Sequence, residues 1–293
     1  MKLKILNTTS NEKGSIDLPQ IFSEPIRQDL IKRAVEALQS CARQPYGTDP
    51  EAGKKATANV SKRRRDYKTC YGHGIARTPR KILSRSGARM NWVGAVAPNT
   101  VGGRRAHPPK SVKILAQKIN KQERRKAIRS AIAATMDKTL VQQHGHIMPD
   151  KYPFIISDDF ETIAKTKDII EALTKLGLEK ELERSAQKKY RAGKARLRGR
   201  KYRKRKGPLL VVSKECALTK AASNVPGVDV VMVTALNAEL LAPGSVPGRL
   251  TLYTESAITR LGKEQLFTGQ QMQQNMAEEK PKDKIKTAKT AAK

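Results

Sequence analysis

The chain holds 293 residues with 59 Lys and Arg against 27 Asp and Glu, a formal net charge of +32 at pH 7. An excess of that size calls for a polyanion as partner. Hydrophobic residues make up 38%, enough for one folded domain of about 150 to 200 residues but not for a core running through the whole chain. Three cysteines, Cys41, Cys70 and Cys216, are odd in number and share no C-x-x-C spacing, which does not suggest a disulfide framework and fits a reducing, intracellular setting. The segment after Met1 lacks the apolar stretch of a signal peptide, and no run of about 18 apolar residues offers a membrane span. A soluble, cytosolic protein with no membrane partner is expected.

Taken in chain order, residues 2–8 and 15–19 read as two short strands around a turn at Asn11 to Gly14. Ile26, Leu30, Ile31, Ala34, Val35 and Leu38 follow helical spacing, with Pro25 in the first turn and a stop near Gln44-Pro45. From Pro45 to about Ser111 the hydrophobic period vanishes, and a loop that long is functional or disordered. Helical spacing returns with Ile114, Ala127, Ile128, Ala131, Ile132 and Met136. Phe154 to Ser157 reads as a strand. Asp158-Asp159 then offers cap chemistry for a helix carrying Ile163, Ile169, Ile170, Leu173 and Leu176 and stopping at Gly177. Strands at Leu209 to Ser213, Val228 to Val233 and Leu250 to Thr254 alternate with helices at Cys216 to Ala222, Leu236 to Ala242 and Glu255 to Leu261. Such alternation predicts a three-layer α/β/α domain around a mostly parallel sheet, built from residues 1–44 and 111–265. Residues 45–110 form the inserted loop, 184–207 a second basic segment, and 266–293 a polar tail expected to be disordered.

The charge is gathered rather than spread. Between Lys62 and Lys110 thirteen cations face one acid, Asp66, and between Arg184 and Lys206 thirteen face none. Those stretches hold +25 of the +32, the mark of docking surfaces. Glycines that admit close backbone approach interleave with Tyr67, Tyr71, Trp92 and Tyr202, whose π faces suit unpaired bases, and arginine forks suit phosphate oxygens. The expected RNA contacts in the loop are Lys62, Arg63, Arg64, Arg65, Lys68, Arg77, Arg80, Lys81, Arg85, Arg89, Trp92, Arg104, Arg105, His107 and Lys110. In the second segment they are Arg191, Lys194, Arg196, Arg198, Arg200, Lys201, Tyr202, Arg203, Lys204 and Arg205. RNA is favoured over DNA because no helix-turn-helix, zinc finger or zipper is visible and the cations read as lying on irregular backbone. Were about ten phosphates neutralised, affinity would fall with a log–log salt slope of about −7 to −9.

Enzyme readings find little support. No G-x-x-x-x-G-K-[ST] motif occurs, and Gly72-His-Gly74 is followed by Arg77 where a dinucleotide fingerprint needs glycine. Cys70 and His73 have ligand-like spacing but lack a second pair nearby. His144-Gly145-His146 reads as a helix-ending turn as readily as a chelate. Asp158 and Asp159 sit where parallel sheets place ligands, yet capping accounts for them. An RNA-modifying enzyme and a chromatin-like DNA binder stand as the alternatives to a structural RNA-binding protein, and no catalytic or metal residue is assigned.

Several motifs in order carry a resemblance: Gly72-His-Gly-Ile-Ala-Arg-Thr-Pro-Arg80, Val101-Gly-Gly-Arg-Arg-Ala-His-Pro-Pro-Lys110, Phe154 to Phe160, Arg191 to Arg200, and Leu241-Ala-Pro-Gly-Ser-Val-Pro-Gly-Arg-Leu250 before Thr254-Glu-Ser-Ala. Over residues 1–265 the chain resembles the family of universal large-subunit ribosomal protein four, in its archaeal and eukaryotic form. The resemblance implies a structural constituent of the large subunit that binds 23S-type rRNA and supports assembly. It implies a loop tip, Tyr71, Gly72, His73, Gly74, Ile75, Ala76 and Arg77, that lines the nascent-peptide exit tunnel. Implied partners are large-subunit rRNA, neighbouring ribosomal proteins including universal protein twenty-two at the tunnel constriction, and the nascent peptide. No cofactor is implied beyond Mg2+ held with rRNA, and no homo-oligomer.

Overall fold

Apolar residues three and four apart on Gln28–Cys41 put Ile31, Ala34 and Val35 on one buried face, and the rest of the body is organised around stripes of this kind. A computed structural model describes residues 1–268 apart from 54, 56–59, 67, 68 and 88. The chain divides into two compact units, Met1–Cys41 with Gln117–Lys293, and Ala42–Ala116. Strands β1 (Lys2–Leu6) and β2 (Glu12–Asp17) precede helix α1 (Gln28–Cys41). The second unit carries β3 (Arg80–Ser86) and β4 (Arg89–Gly94). There follow α2 (Lys121–Ala134), α3 (Lys138–Gln143), β5 (Ile155–Ile156), α4 (Thr166–Lys175), α5 (Glu179–Ala186), β6 (Lys188–Tyr190), the single turn α6 (Lys194–Leu197) and β7 (Tyr202–Lys204). The body closes with β8 (Leu209–Val212), α7 (Ala217–Ala222), β9 (Asp229–Met232), α8 (Ala238–Leu241), β10 (Thr251–Tyr253) and α9 (Glu255–Lys263). Among the described residues no helix is long and apolar enough to cross a membrane.

In the first unit β1 pairs antiparallel with β2 and parallel with β5, while β8 lies between β10 and β9, parallel to both. A single parallel bridge, Ile156 to Thr254, joins the two three-stranded sheets. Alternate strand residues enter different cores, as the two-residue period of a strand requires. Leu3, Ile5, Ile155, Leu209, Val211 and Tyr253 pack with residues of α1, α2, α8 and α9. Leu6, Ile156, Leu210, Val212 and Leu252 pack with residues of α4 and α7. Apolar surface therefore covers β8 on both faces, which is why Leu209 to Val212 is continuously hydrophobic. Two apolar clusters of this size account for the body's stability, each fully buried Ile or Leu contributing about 1.5 to 3 kcal/mol.

Several sequence expectations shift in detail. Helix α1 starts at Gln28, three residues beyond Pro25, and ends at Cys41 before Gln44. Ile114 lies outside α2. Asp158 does not cap the helix that follows it: residues Asp158–Thr162 form a 3-10 turn, α4 begins only at Thr166, and Ile163 lies outside it. The Asp158 carboxylate instead accepts from the backbone N–H and hydroxyl of Ser256, at 2.9 and 2.8 Å, in the first turn of α9, so the capping chemistry serves a helix almost a hundred residues away. Gly145 and Gly177, at φ +91° and +82°, do end α3 and α4. Of residues 266–293, read as a disordered polar tail, Leu266 and Phe267 instead pack against the core shared by α1, α2, α8 and α9, with Arg129 donating to the Phe267 carbonyl at 2.9 Å, while 269–293 lie outside the described residues.

Candidate nucleic-acid interface

The second unit spans 75 residues, yet its described residues bury only three hydrophobic side chains, Cys70, Ala95 and Ala97. Its sequence carries seventeen Lys and Arg against Asp49, Glu51 and Asp66. What holds it are local polar contacts. Thr100 ties a turn, its hydroxyl 2.9 Å from the Ala95 carbonyl and 2.8 Å from that of Ala97, and the Gly103 N–H donates to the Thr100 carbonyl at 3.0 Å. The Thr48 N–H reaches the Pro109 carbonyl at 3.1 Å and draws the ends of the segment together. In the body, the Gln117 N–H donates to Ser40 Oγ at 2.9 Å, so the chain leaving at the end of α1 and the chain returning meet at one place.

The insert is not wholly irregular, contrary to the sequence reading. Strands β3 and β4 form an antiparallel hairpin from Arg80–Gly94 to Ser86–Arg89, with a register shift between Ile82 and Ser84. Lys81, Arg85 and Arg89 are exposed on it. Arg80 is half-buried: its guanidinium lies 5.2 Å from the Trp92 ring centroid and donates to Cys70 Sγ at 3.1 Å and to the Ala76 carbonyl at 2.7 Å. In the same way Arg77 lies 4.6 Å from the Tyr71 ring centroid. Of the three aromatics singled out in the loop, the two described ones, Tyr71 and Trp92, thus already carry an arginine. Lys62, Arg63, Arg64, Arg65, Arg104, Arg105, His107 and Lys110 are exposed, as are Gly72 to Arg77 of the expected tip. Tyr67 and Lys68 lie outside the described residues.

The second segment also departs from irregular backbone. Lys188, Lys189 and Tyr190 of β6 pair antiparallel with Lys204, Arg203 and Tyr202 of β7. Past that ribbon the chain makes the single turn α6, with Arg191 N–H donating to the Lys201 carbonyl at 2.8 Å below it. Arg191, Lys194, Arg196, Arg198, Arg200, Lys201, Tyr202, Arg203, Lys204 and Arg205 are all exposed. Lys188, Lys189 and Tyr190 fall within the expected basic segment but were not among its expected contacts. The mirrored order Lys-Lys-Tyr and Tyr-Arg-Lys about Gly193 and Gly199 was the signal that could have found them.

Buried ion pairs fix the base of this ribbon. The Glu181 carboxylate, fully buried on α5, accepts from Arg184 at 2.6 and 2.7 Å, from the Ile147 N–H at 3.0 Å, and lies 2.7 Å from His146 Nδ1. Burial pushes this carboxyl up, but the bonds from Arg184, His146 and Ile147 together outweigh it and hold it at about 2. Arg184 also donates to the Lys206 carbonyl at 2.7 Å, clasping the ribbon's entry to its exit. Beyond the exit, the fully buried Arg249 donates to the Gly207 carbonyl at 3.0 Å and to Asp229 at 2.6 Å, and Lys206 Nζ reaches the same carboxylate at 2.8 Å. Burial lowers the Arg249 pKa, with Asp229 opposing, while Asp229 sits below its ordinary value because Lys206 and Arg249 overcome its desolvation. His144 stacks on His146 with ring centroids 5.0 Å apart and reaches the Pro243 carbonyl, so the His-Gly-His sequence is absorbed in packing. Burial, with His146 adjacent, lowers the His144 pKa. The carboxylates at the strand ends are likewise engaged: Glu161 accepts from Ser213 and Thr254.

A mixed α/β body bearing two strongly cationic segments fits a protein whose partner is a polyanion. The chain matches the Ribosomal protein L4/L1 family over residues 16–264, and it belongs to that family, one of structural ribosomal proteins and not of enzymes. It is 50% identical over 268 residues to the large ribosomal subunit protein uL4 of Nanoarchaeum equitans, covering 91% of this chain and 100% of that one. The protein of the same description from Archaeoglobus fulgidus is 47% identical over 90% of this chain and 99% of its own. That from Methanosphaera stadtmanae is 45% identical over 89% and 96%. The archaeal type anticipated from the loop and strand motifs is thereby shown.

Proposed function

We propose that this protein is a structural constituent of the large ribosomal subunit in the cytoplasm, binding 23S-type rRNA through two cationic elements and supporting its assembly. Its archaeal relatives are large ribosomal subunit proteins. The observation that carries the reading is the second unit, whose described residues bury three hydrophobic side chains while its sequence sets seventeen cations against three acids. Such a segment cannot offset its own ordering entropy by apolar burial, so its shape depends on a partner that supplies negative charge on many sides. Folded RNA does so.

In this reading residues 1–44 and 111–265 form a three-layer α/β/α body with a mostly parallel sheet, residues 45–110 enter rRNA, and 184–207 form the second contact. The tip, Tyr71 to Arg77, lines the exit tunnel beside universal protein twenty-two, where the nascent peptide passes, and Mg2+ enters only with the rRNA. Protein lacking residues 61–106, titrated with protein-free large-subunit rRNA at several salt concentrations, tests the arm. Loss of affinity with a flatter log–log salt slope is expected, and an unchanged affinity and slope would remove the arm from the interface. Among the described residues neither core includes one from that segment, so the body should fold without it.

A further inference from the structure

The ribbon of β6 and β7 has two unlike faces. Register places Tyr190 opposite Tyr202 and Lys188 opposite Lys204, so the tyrosine pair and two lysines share one face. Lys189 and Arg203, also directly opposed, lie on the other, where with Arg205 they line a notch of about 250 Å³. The tyrosine rings tilt 42° to each other at 4.9 Å, with the hydroxyl oxygens 3.3 Å apart. Tyr190 remains 71% exposed and Tyr202 45%.

A bland reading makes the pair a cross-strand contact that stiffens a short ribbon. That reading leaves two facts over. A ribbon with stability as its only purpose would not oppose Lys188 to Lys204 and Lys189 to Arg203, since like charges directly across a strand pair are destabilising, and no Asp or Glu occurs between Arg184 and Lys206 to relieve them. Nor would it leave a large aromatic ring mostly in water between lysines. Charge and aromatic surface are both accounted for if the missing anion arrives on a chain that also carries planar rings.

We propose that the Tyr190–Tyr202 pair is a stacking site for an unpaired nucleobase, with Lys188 and Lys204 holding the flanking phosphates and the Lys189, Arg203 and Arg205 notch taking a phosphate on the opposite face. A single-stranded RNA segment, a bulge or a loop, fits this surface. A paired helix does not, because its bases are already stacked and present no free face. The buried Glu181–Arg184 clasp at the base aims the ribbon, so the site is formed before the RNA arrives. The inference rests on the rRNA reading above and adds the chemistry of one contact.

The test uses the full chain and protein-free archaeal large-subunit rRNA, comparing wild type with Tyr190→Val, which keeps strand preference but removes the ring, and with Tyr190→Phe, which keeps the ring but removes the hydroxyl. Stacking predicts that Tyr190→Val weakens binding by about 5- to 150-fold with the log–log salt slope unchanged, because no charge is lost. Tyr190→Phe should stay within about twofold of wild type. Zero-length ultraviolet cross-links from rRNA should map to Tyr190 or Tyr202. Wild-type affinity in Tyr190→Val, or equal weakening in both variants, would overturn the stacking site and leave the rRNA reading intact. A flatter salt slope in Tyr190→Val would overturn it too, showing that the ring only braces the cationic ribbon. Absence of rRNA binding by the wild type would instead remove the rRNA reading and the stacking site with it.

Discussion

Replacing Glu181 with Gln tests the clasp beneath the second basic segment. The carboxylate is fully buried and receives two bonds from Arg184, one from the Ile147 N–H, and a contact with His146. In the fold it titrates at about 2 against an ordinary value of 4.5, which at about 1.4 kcal/mol per pH unit corresponds to about 3 kcal/mol of stabilisation. Breaking a buried ion pair by removing one partner costs about 3 to 5 kcal/mol, so the two routes agree. A carboxyl with a depressed folded pKa stabilises fully above its unfolded value and loses that contribution as pH falls toward the folded one. The stability gap between wild type and Glu181→Gln should therefore be flat from about pH 7 to 5 and close between about pH 4.5 and 2. Guanidinium titrations followed by circular dichroism at several pH values read this directly. For a body of this size the thermal midpoint at neutral pH, read in a separate melt, should fall by about 6 to 12 °C. A neutral-pH loss under about 1 kcal/mol, or a gap that does not narrow in acid, would mean that Glu181 is solvated in solution and that the clasp does not hold.

Three other perturbations follow from the geometry. Arg249→Met leaves the Gly207 and Leu240 carbonyls without their buried donor and Asp229 without one of its two cations; thermal denaturation should show a loss of about 3 to 5 kcal/mol, and a neutral result would refute the assigned bonds. Gly248 adopts φ +96°, and a Cβ there would stand 2.7 Å from the Leu140 backbone carbonyl, so Gly248→Ala should destabilise by about 1 to 3 kcal/mol in the same assay. Joint replacement of Lys189, Arg203 and Arg205 by Gln should reduce the magnitude of the rRNA salt slope by about 2 to 3; an unchanged slope would take the notch off the RNA.

The body was legible because its elements obey local rules. The Leu-Leu-Val-Val run of β8 announces a strand buried on both faces, and Gly145 and Gly177 stop helices at the residues where the chain turns left-handed. Misreadings cluster where a side chain serves something distant in sequence. Asp158 looked like the cap of its own helix and instead accepts from Ser256 in the first turn of α9, whose N-cap is Thr254; spacing alone cannot tell the two apart, since the partner lies in a strand-to-helix junction far along the chain, bridged to β5 at Ile156. Helix α5 was missed for a related reason. Its Glu-Lys-Glu-Leu-Glu-Arg-Ser-Ala sequence shows little apolar periodicity because a core-facing position is held by Glu181, a residue that can be buried only with Arg184 and His146 beside it.

For the cationic segments, composition located the charge but not the backbone that carries it. Hydrophobic alternation is the usual signal of a strand, and neither Lys188-Lys189-Tyr190 nor Tyr202-Arg203-Lys204 has it, so pairing there is set by tertiary contacts at the ribbon's base rather than by its own side chains. A two-stranded ribbon is marginal in water at best, and opposed cations make this one worse by a few tenths of a kcal/mol to about 1 kcal/mol per pair. The Arg184 bond to the Lys206 carbonyl and the Arg249 bond to that of Gly207 offset that cost from beneath. The hairpin β3–β4 has no such footing among the described residues of its unit, whose buried hydrophobic side chains number three. The two basic elements should therefore answer differently to removal of RNA. Amide exchange in the free protein should be slow at Gly207, whose N–H donates to the Gly227 carbonyl at 2.8 Å, and fast across Arg80 to Gly94, where so little apolar surface is buried beneath the hairpin.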